Sequence, residues 1–197
     1  YLTTLSFTPS GLNKFPIAER LKIGQTIKSA LLRAQKPGPG VPTVEFLPRF
    51  GEGSLSNEQQ GELQNLIAKS VTSIESKHVT LGVYPSKLEY FRKALAQFPE
   101  ISVQPTKGRP AYLEPLESQP DVYFAMGDSS FFESLSLLYY YFDRGTFMDR
   151  EAGMKWLEKY IWTPEKEDRL ELLKNLHFQA LTSGRVIPVS VGPYIAV

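Results

Sequence analysis

Three short apolar stretches, His78–Tyr84, Ile101–Gln104 and Asp121–Gly127, fall within about fifty residues of one another, and they constrain the fold more than any other feature. The first alternates, with Val79, Leu81 and Val83 on one side, as a half-buried strand does. The third (Val122, Tyr123, Phe124, Ala125, Met126) is apolar without a break, as a strand covered on both faces is. Between the first two, Ser86 with Glu89 forms a capping-box pattern ahead of Leu88, Phe91, Leu95 and Phe98, the apolar positions of a helix. Strand, helix, strand, connection, strand is the order of parallel βαβ units. The connection from Gln104 to Pro120 has room for one short helix, at 112–116.

The flanks extend this α/β pattern. Tyr1–Thr8 reads as a strand stopped by Pro9, Ser10 and Gly11. Pro16 stands where a first helical turn tolerates it, before Ile17, Leu21, Ile27, Leu31 and Ala34 on one helical face. The stretch from Pro37 to Gly53 is rich in Pro and Gly and reads as a loop packed over the surface. Ser56 with Gln59 caps a second helix carrying Leu63, Ile67, Val71 and Ile74. Ser130 with Glu133 opens a third, with Phe131, Leu135, Leu138 and Phe142 at helical spacing. Asp149–Trp162 and Pro164–Thr182 are two more helices, with Thr163-Pro164 as cap and first turn of the second. Val186–Val191 and Tyr194–Val197 close the chain as strands.

Composition narrows the function. The 197 residues carry 22 Lys and Arg against 21 Asp and Glu, a net charge of +1, and the basic residues form no run. Nucleic acid and anionic lipid are therefore not expected partners. No Cys is present, which excludes disulfides, CxxC redox chemistry and thiolate metal sites. No apolar run reaches the roughly 18 residues that span a bilayer. Of the two His, His78 opens a strand and His177 sits on the Leu173/Ala180 face of a helix; neither belongs to a metal-ligand spacing, and both read as structural. Gly38 with Gly40 and Gly51 with Gly53 lack the GK[ST] that follows a phosphate loop, and no GxSxG elbow occurs. The carboxylates of Asp149, Glu151, Glu165 and Glu167 sit at helix starts, where they complement the macrodipole. No cofactor and no metal are expected, and a hydrolase would need a nucleophile and base that the chain does not display.

Asp128 stands out by position. It follows the Val122–Met126 strand through Gly127 and precedes a helix, and in parallel α/β sheets ligands collect beyond the carboxyl ends of the strands. Its carboxylate either meets an ammonium or hydroxyl of a ligand or helps Ser129 and Ser130 cap the helix. Tyr84, at the end of its own strand, shares the geometry. Tyr139, Tyr140 and Tyr141 cannot all face one surface of a helix, so at least one lines a cleft or a neighbouring domain. Trp156 and Trp162 read as core or interface anchors.

The succession of elements resembles the carboxy-terminal lobe of the family 5 extracellular solute-binding proteins, the peptide receptors of ABC importers. IGQTIKSALLR (Ile23–Arg33) is similar to the family's VRQALNYAIDR pattern in Gln25, Ala30 and Arg33, with Gly24 where the family favours Arg. TLGVY (Thr80–Tyr84) and ISVQP (Ile101–Pro105) look like its LxLxY and IxVxL strands. DVYFAMGDSSFFESL (Asp121–Leu135) resembles the frame of its strand running into an acidic GWxADYxDP-like segment. EDRLELLKNLHFQALTSGRVIPVSV (Glu167–Val191) resembles its closing helix and strand, with Arg169 and Pro188 in register.

The resemblance implies an α/β fold of type II periplasmic-binding-protein kind, a mixed, mostly parallel sheet flanked by helices. It implies that residues 1–197 are one lobe, with an N-terminal lobe of the same chain as partner. The expected ligand is a peptide or other small solute, passed to a membrane permease at the periplasmic or extracellular face. In peptide-binding relatives the aspartate of the acidic segment holds the ligand's α-amino group, and Asp128 matches it. Ala125 and Met126 stand where the family has its Trp-containing stretch, and Ser129 to Phe132 replace its Asp-Pro element. The expected ligand-binding residues are Asp128, Met126, Ala125 and Tyr84. A reading from another class, an intracellular effector-binding regulatory domain of similar topology, predicts a DNA-binding segment upstream.

Overall fold

The computed structural model of the chain describes residues 2–34, 40–47, 52–70, 77–106, 115–127 and 147–192. The helix expected from Ser130, the Tyr139–Tyr141 triplet, the strand at 194–197, Val71, Ile74 and Asp128 lie outside these residues.

β1 (Leu2–Phe7) is buried at every position because it runs through the middle of the sheet. Pro9-Ser10-Gly11 does more than stop it: these residues open a short helix, α1 (Pro9–Lys14). Thr8 is the reason, since its Oγ1 accepts the Gly11 N–H at 3.2 Å, and Pro9 at the first turn has no N–H to leave unpaired. α2 (Ile17–Ala34) follows as expected and buries Leu21, Ile23, Ile27, Ala30 and Leu31. Ile17 and Ala34 are exposed. An 18-residue helix is about 27 Å long and a six-residue strand about 20 Å, so the helix is longer than the strand it covers.

The Pro- and Gly-rich stretch contributes an unexpected element, β2 (Val41–Pro42), paired to the final strand. Pro42 is tolerated because β2 is an edge strand. The capping box of α3 (Asn57–Ser70) forms in full: Ser56 N–H donates to Gln59 Oε1 at 3.0 Å, and Gln59 N–H donates to Ser56 Oγ at 3.2 Å. Ser56→Ala is expected to cost about 1 kcal/mol in urea unfolding; a loss below a few tenths would mean that water replaces the cap.

β3 (Val79–Val83) leads through a 3₁₀ turn, Pro85–Lys87, into α4 (Leu88–Ala94). The expected Ser86/Glu89 capping box does not form. Pro85 starts a helical turn directly after Tyr84, with Lys87 N–H donating to the Tyr84 carbonyl at 2.8 Å, so Ser86 lies inside the turn instead of ahead of it. β4 (Ile101–Pro105) comes next, then a 3₁₀ turn at Leu116–Ser118 near the expected short helix, then β5 (Val122–Gly127).

α5 (Arg150–Trp162) and α6 (Lys166–Thr182) form as expected, but Thr163-Pro164 does not cap α6. Thr163 is the C-cap of α5, and Arg169 Nη1 donates to the carbonyls of Thr163 and Pro164, 2.7 Å each, holding the link open for one more residue. β6 (Val186–Val191) ends the described chain.

The strands form one six-stranded sheet in the order β2-β6-β1-β5-β3-β4. It is mixed, as expected, but the parallel share is smaller. β5, β3 and β4 pair in parallel, whereas β1 pairs antiparallel with β5 and β6, and β2 antiparallel with β6. Two apolar clusters flank it. One joins Leu5, Phe7, Leu81, Val83, Val122 and Phe124 to α2 and α4; the other joins Leu2 and Val186 to Leu63, Phe147, Leu173 and Leu176.

Candidate functional site

The sheet order sets one switch point among the described strands. β3 and β5 are parallel neighbours, with Leu81 opposite Val122 and Gly82 opposite Tyr123. β3 continues through α4 to β4 on one side, whereas the chain after β5 returns to the sheet as β6, on the far side of β1. Two adjacent parallel strands whose connections leave in opposite directions open a gap at their carboxyl ends, the usual ligand position in such sheets. Tyr84 closes one side of this rim and Met126 with Gly127 the other.

The residues expected there differ in what they present. Tyr84 is half-buried and its ring meets Tyr123 edge-on, centroids 6.3 Å apart. Met126 is 37% exposed at the end of β5, whereas Ala125 is only 3% exposed. Strand alternation puts Met126 on the face of Val122 and Phe124, and Ala125 on that of Tyr123. Met126 thus offers a side chain at the rim, and the Ala125 methyl lies in the packed interior. The β1 ladder holds β5 to its last residue, since Leu2 pairs with Gly127. Asp128, the next residue, lies outside the described residues.

At the opposite end of the same strands the structure adds a group that sequence reasoning missed. Asp121 Oδ2 accepts from Thr80 N–H (2.8 Å), Thr80 Oγ1 (3.0 Å) and Lys14 Nζ (3.0 Å), and Asp121 N–H donates to Thr80 Oγ1 at 2.8 Å. This buried knot fixes the start of β5 against β3 and α1. The only sequence signal is a carboxylate directly ahead of an apolar run; its partners lie 41 and 107 positions away.

Both His are bound into the framework. His78 Nε2 lies 2.9 Å from Ser102 Oγ at the exposed start of β3, away from the rim. His177 is fully buried between Phe46 and Gly53. Burial lowers its pKa to about 4, with the bond to the Gly53 carbonyl acting in the other direction. Trp156 stacks on Tyr160 against the second cluster, but Trp162 is 78% exposed and is no part of the core. Glu151 is exposed and pairs with Lys155 at 2.8 Å. Among the described residues no group of three or more His, Cys, Asp or Glu could hold a metal ion, and no helix is long and apolar enough to cross a membrane.

This mixed sheet with its flanking helices is the fold of a lobe of the family 5 solute-binding proteins. Solved structures sharing it include AppA from Clostridium difficile, at TM-score 0.62 and 14% identity over 95% of this chain and 43% of that one. Haemophilus influenzae OppA, in complex with RPPGFSPFR, matches at TM-score 0.57 and 10% identity over 96% of this chain and 42% of its own. NikA from Staphylococcus aureus, in complex with Ni(L-His)2, matches at TM-score 0.57 and 10% identity over 96% and 44%. At these identities the likeness is one of fold, and the chain spans less than half the length of the proteins it matches. No family model matches the sequence, and no curated protein matches it.

Proposed function

We propose that this chain is the carboxy-terminal lobe of a two-lobed extracytoplasmic receptor that binds a solute of peptide type and presents it to an ABC permease. One observation carries the reading: the switch point at the carboxyl ends of the parallel strands β3 and β5, from which the next described strands lie on opposite sides, in a sheet that superposes on solute receptors over nearly the whole chain. In this reading Tyr84 and Met126 supply contact surface and Ala125 shapes the strand beneath them. Asp128 is the carboxylate that pairs with the ligand's ammonium. An amino-lobe of the same polypeptide closes over the solute by a hinge movement. The lobe binds and does not transform its ligand, and the receptor works at the periplasmic or extracellular face.

Calorimetry on the full-length receptor, with free-amine and N-acetylated forms of the same short peptides, tests both the site and the ligand class. Asp128→Asn is expected to weaken free-amine peptides by about 2 kcal/mol or more, roughly thirtyfold, the cost of removing one partner of an enclosed charge pair. N-acetylation should weaken the wild type as much and the variant little further. Equal affinity of wild type and variant for a free-amine peptide would remove Asp128 from the site. Failure to bind any peptide, with a different small molecule retained on purification, would overturn the ligand class.

A further inference from the structure

Two stretches of the Pro- and Gly-rich region, 40–47 and 52–56, are held down by three buried ionisable side chains from different places. Lys28 of α2 donates to the Thr43 carbonyl. The carboxylate of Glu45 accepts the Leu55 N–H at 3.0 Å and the Gln60 amide at 3.0 Å. His177 of α6 accepts the Phe46 N–H on Nε2 at 3.2 Å and meets the Gly53 carbonyl with Nδ1 at 3.0 Å, while the Phe46 ring packs edge-on against the imidazole at 4.2 Å. The same stretch carries β2, with Thr43 N–H on the Val189 carbonyl at 3.2 Å and Val41 opposite Val191. Leu2 pairs with both Val191 and Gly127, and Val41 pairs with Val191, so β2 starts at the sheet end where β5 finishes and runs away from it.

The imidazole's hydrogen bonds fix its protonation. A backbone N–H only donates, so Nε2 is the bare nitrogen, and a carbonyl only accepts, so Nδ1 carries the hydrogen. A second proton, on Nε2, would set N–H against N–H and force Phe46 away. We propose that His177 is the proton-sensitive catch of a clasp over 40–47 and 52–56, so that acid loosens these stretches and with them the edge strand β2 at the rim. The inference does not depend on what the rim binds.

The sign follows from burial. The buried imidazole resists protonation down to about pH 4, whereas a solvated one takes its proton near 6.5. The clasp is at full strength above pH 6.5 and weakens as pH falls toward 4, because only the open form binds the proton. The charged groups on these elements are Glu45 and Glu52 on the held stretches, Glu19, Arg20, Lys22, Lys28 and Arg33 on α2, Glu58, Glu62 and Lys69 on α3, and Lys166, Glu167, Asp168, Arg169, Glu171 and Lys174 on α6. Glu52 pairs with Lys166 at 3.8 Å and Glu171 with Lys174 at 2.8 Å. Burial lowers the pKa of Lys28 to about 8, so it stays protonated between pH 7 and pH 5. Glu45 is the buried carboxylate of the clasp, and its Gln variant serves as the control.

Amide hydrogen exchange, corrected for the intrinsic pH dependence, reads the clasp at Phe46. Between pH 7 and pH 5 its protection is expected to fall roughly twentyfold, with the β3 amides unchanged. Glu45→Gln should show the same fall and His177→Gln none. A flat profile for Phe46, a fall that persists in His177→Gln, or one abolished by Glu45→Gln would each overturn the proposal. If His177→Gln does not fold, nitrogen NMR of the wild-type imidazole decides: it should stay neutral, with hydrogen on Nδ1, to below pH 5. Titration near pH 6.5 in the folded protein would end the idea.

Discussion

Asp121→Ala is expected to destabilise the protein by about 3 kcal/mol, the lower end of the range for removing one partner of a buried charge pair. The carboxylate is 4% exposed while its Lys14 partner is 38% exposed, so the lysine can turn to water and only part of the penalty is felt. Thr80 is half-buried, and its N–H and hydroxyl lose their acceptor at the start of β3, which adds up to about 1–3 kcal/mol, the cost of a buried unsatisfied group. Asp121→Asn keeps an oxygen for Thr80 but not the charge for Lys14, and should cost roughly half as much. Urea unfolding checks both, as a lower midpoint with unchanged slope. A loss below about 1 kcal/mol for the alanine variant would show that water fills the knot.

This knot marks where sequence reading stops. The alternation in Val79–Val83 and the unbroken apolar run from Val122 located both strands, because each pattern lies within one element. The joint between them runs through Thr80 and Lys14, which no local pattern ties to Asp121. Capping shows the same boundary. Ser56 and Gln59 form their reciprocal box, while Ser86 and Glu89, equally well spaced, do not, because Pro85 begins the turn one residue too early. The antiparallel half of the sheet was less legible still. Alternation is the same in parallel and antiparallel strands, and the position of β1 between β5 and β6 is set by pairings across more than a hundred residues. β2, two residues long and half proline, carries no periodicity at all. At the rim, Tyr84 was marked by its place after a strand and does follow β3 directly, whereas Met126 entered only through the resemblance and stands one residue before the end of β5. That Ala125 is packed away while Met126 is exposed depends on where β5 ends against β1, with Gly127 opposite Leu2, which the apolar run alone does not fix.

Gly11→Ala is expected to cost about 3 kcal/mol or more, with the sign opposite to the usual one. In an exposed helix interior the change gains up to about 1 kcal/mol. At Gly11 the added methyl carbon would lie 2.1 Å from the Asp121 carbonyl oxygen and 2.9 Å from its carbon, both backbone atoms. That oxygen already accepts the Thr8 N–H at 3.1 Å, and Thr8 Oγ1 is bonded to the neighbouring Pro120 carbonyl. Relief therefore requires α1 to move off the start of β5, breaking the Thr8 cap and drawing Lys14 away from Asp121, and overpacking of this kind exceeds the common 1–3 kcal/mol when backbone must shift. Gly61 in α3 is the internal control, because a methyl there meets nothing within 4 Å and Gly61→Ala should stabilise slightly. The clash and the Asp121 knot share one strand start, so the two variants should not be additive: once Gly11→Ala has displaced α1, Asp121→Ala should cost less than it does alone. A double-mutant cycle by urea unfolding measures this, and full additivity would mean that α1 and the carboxylate hold β5 independently.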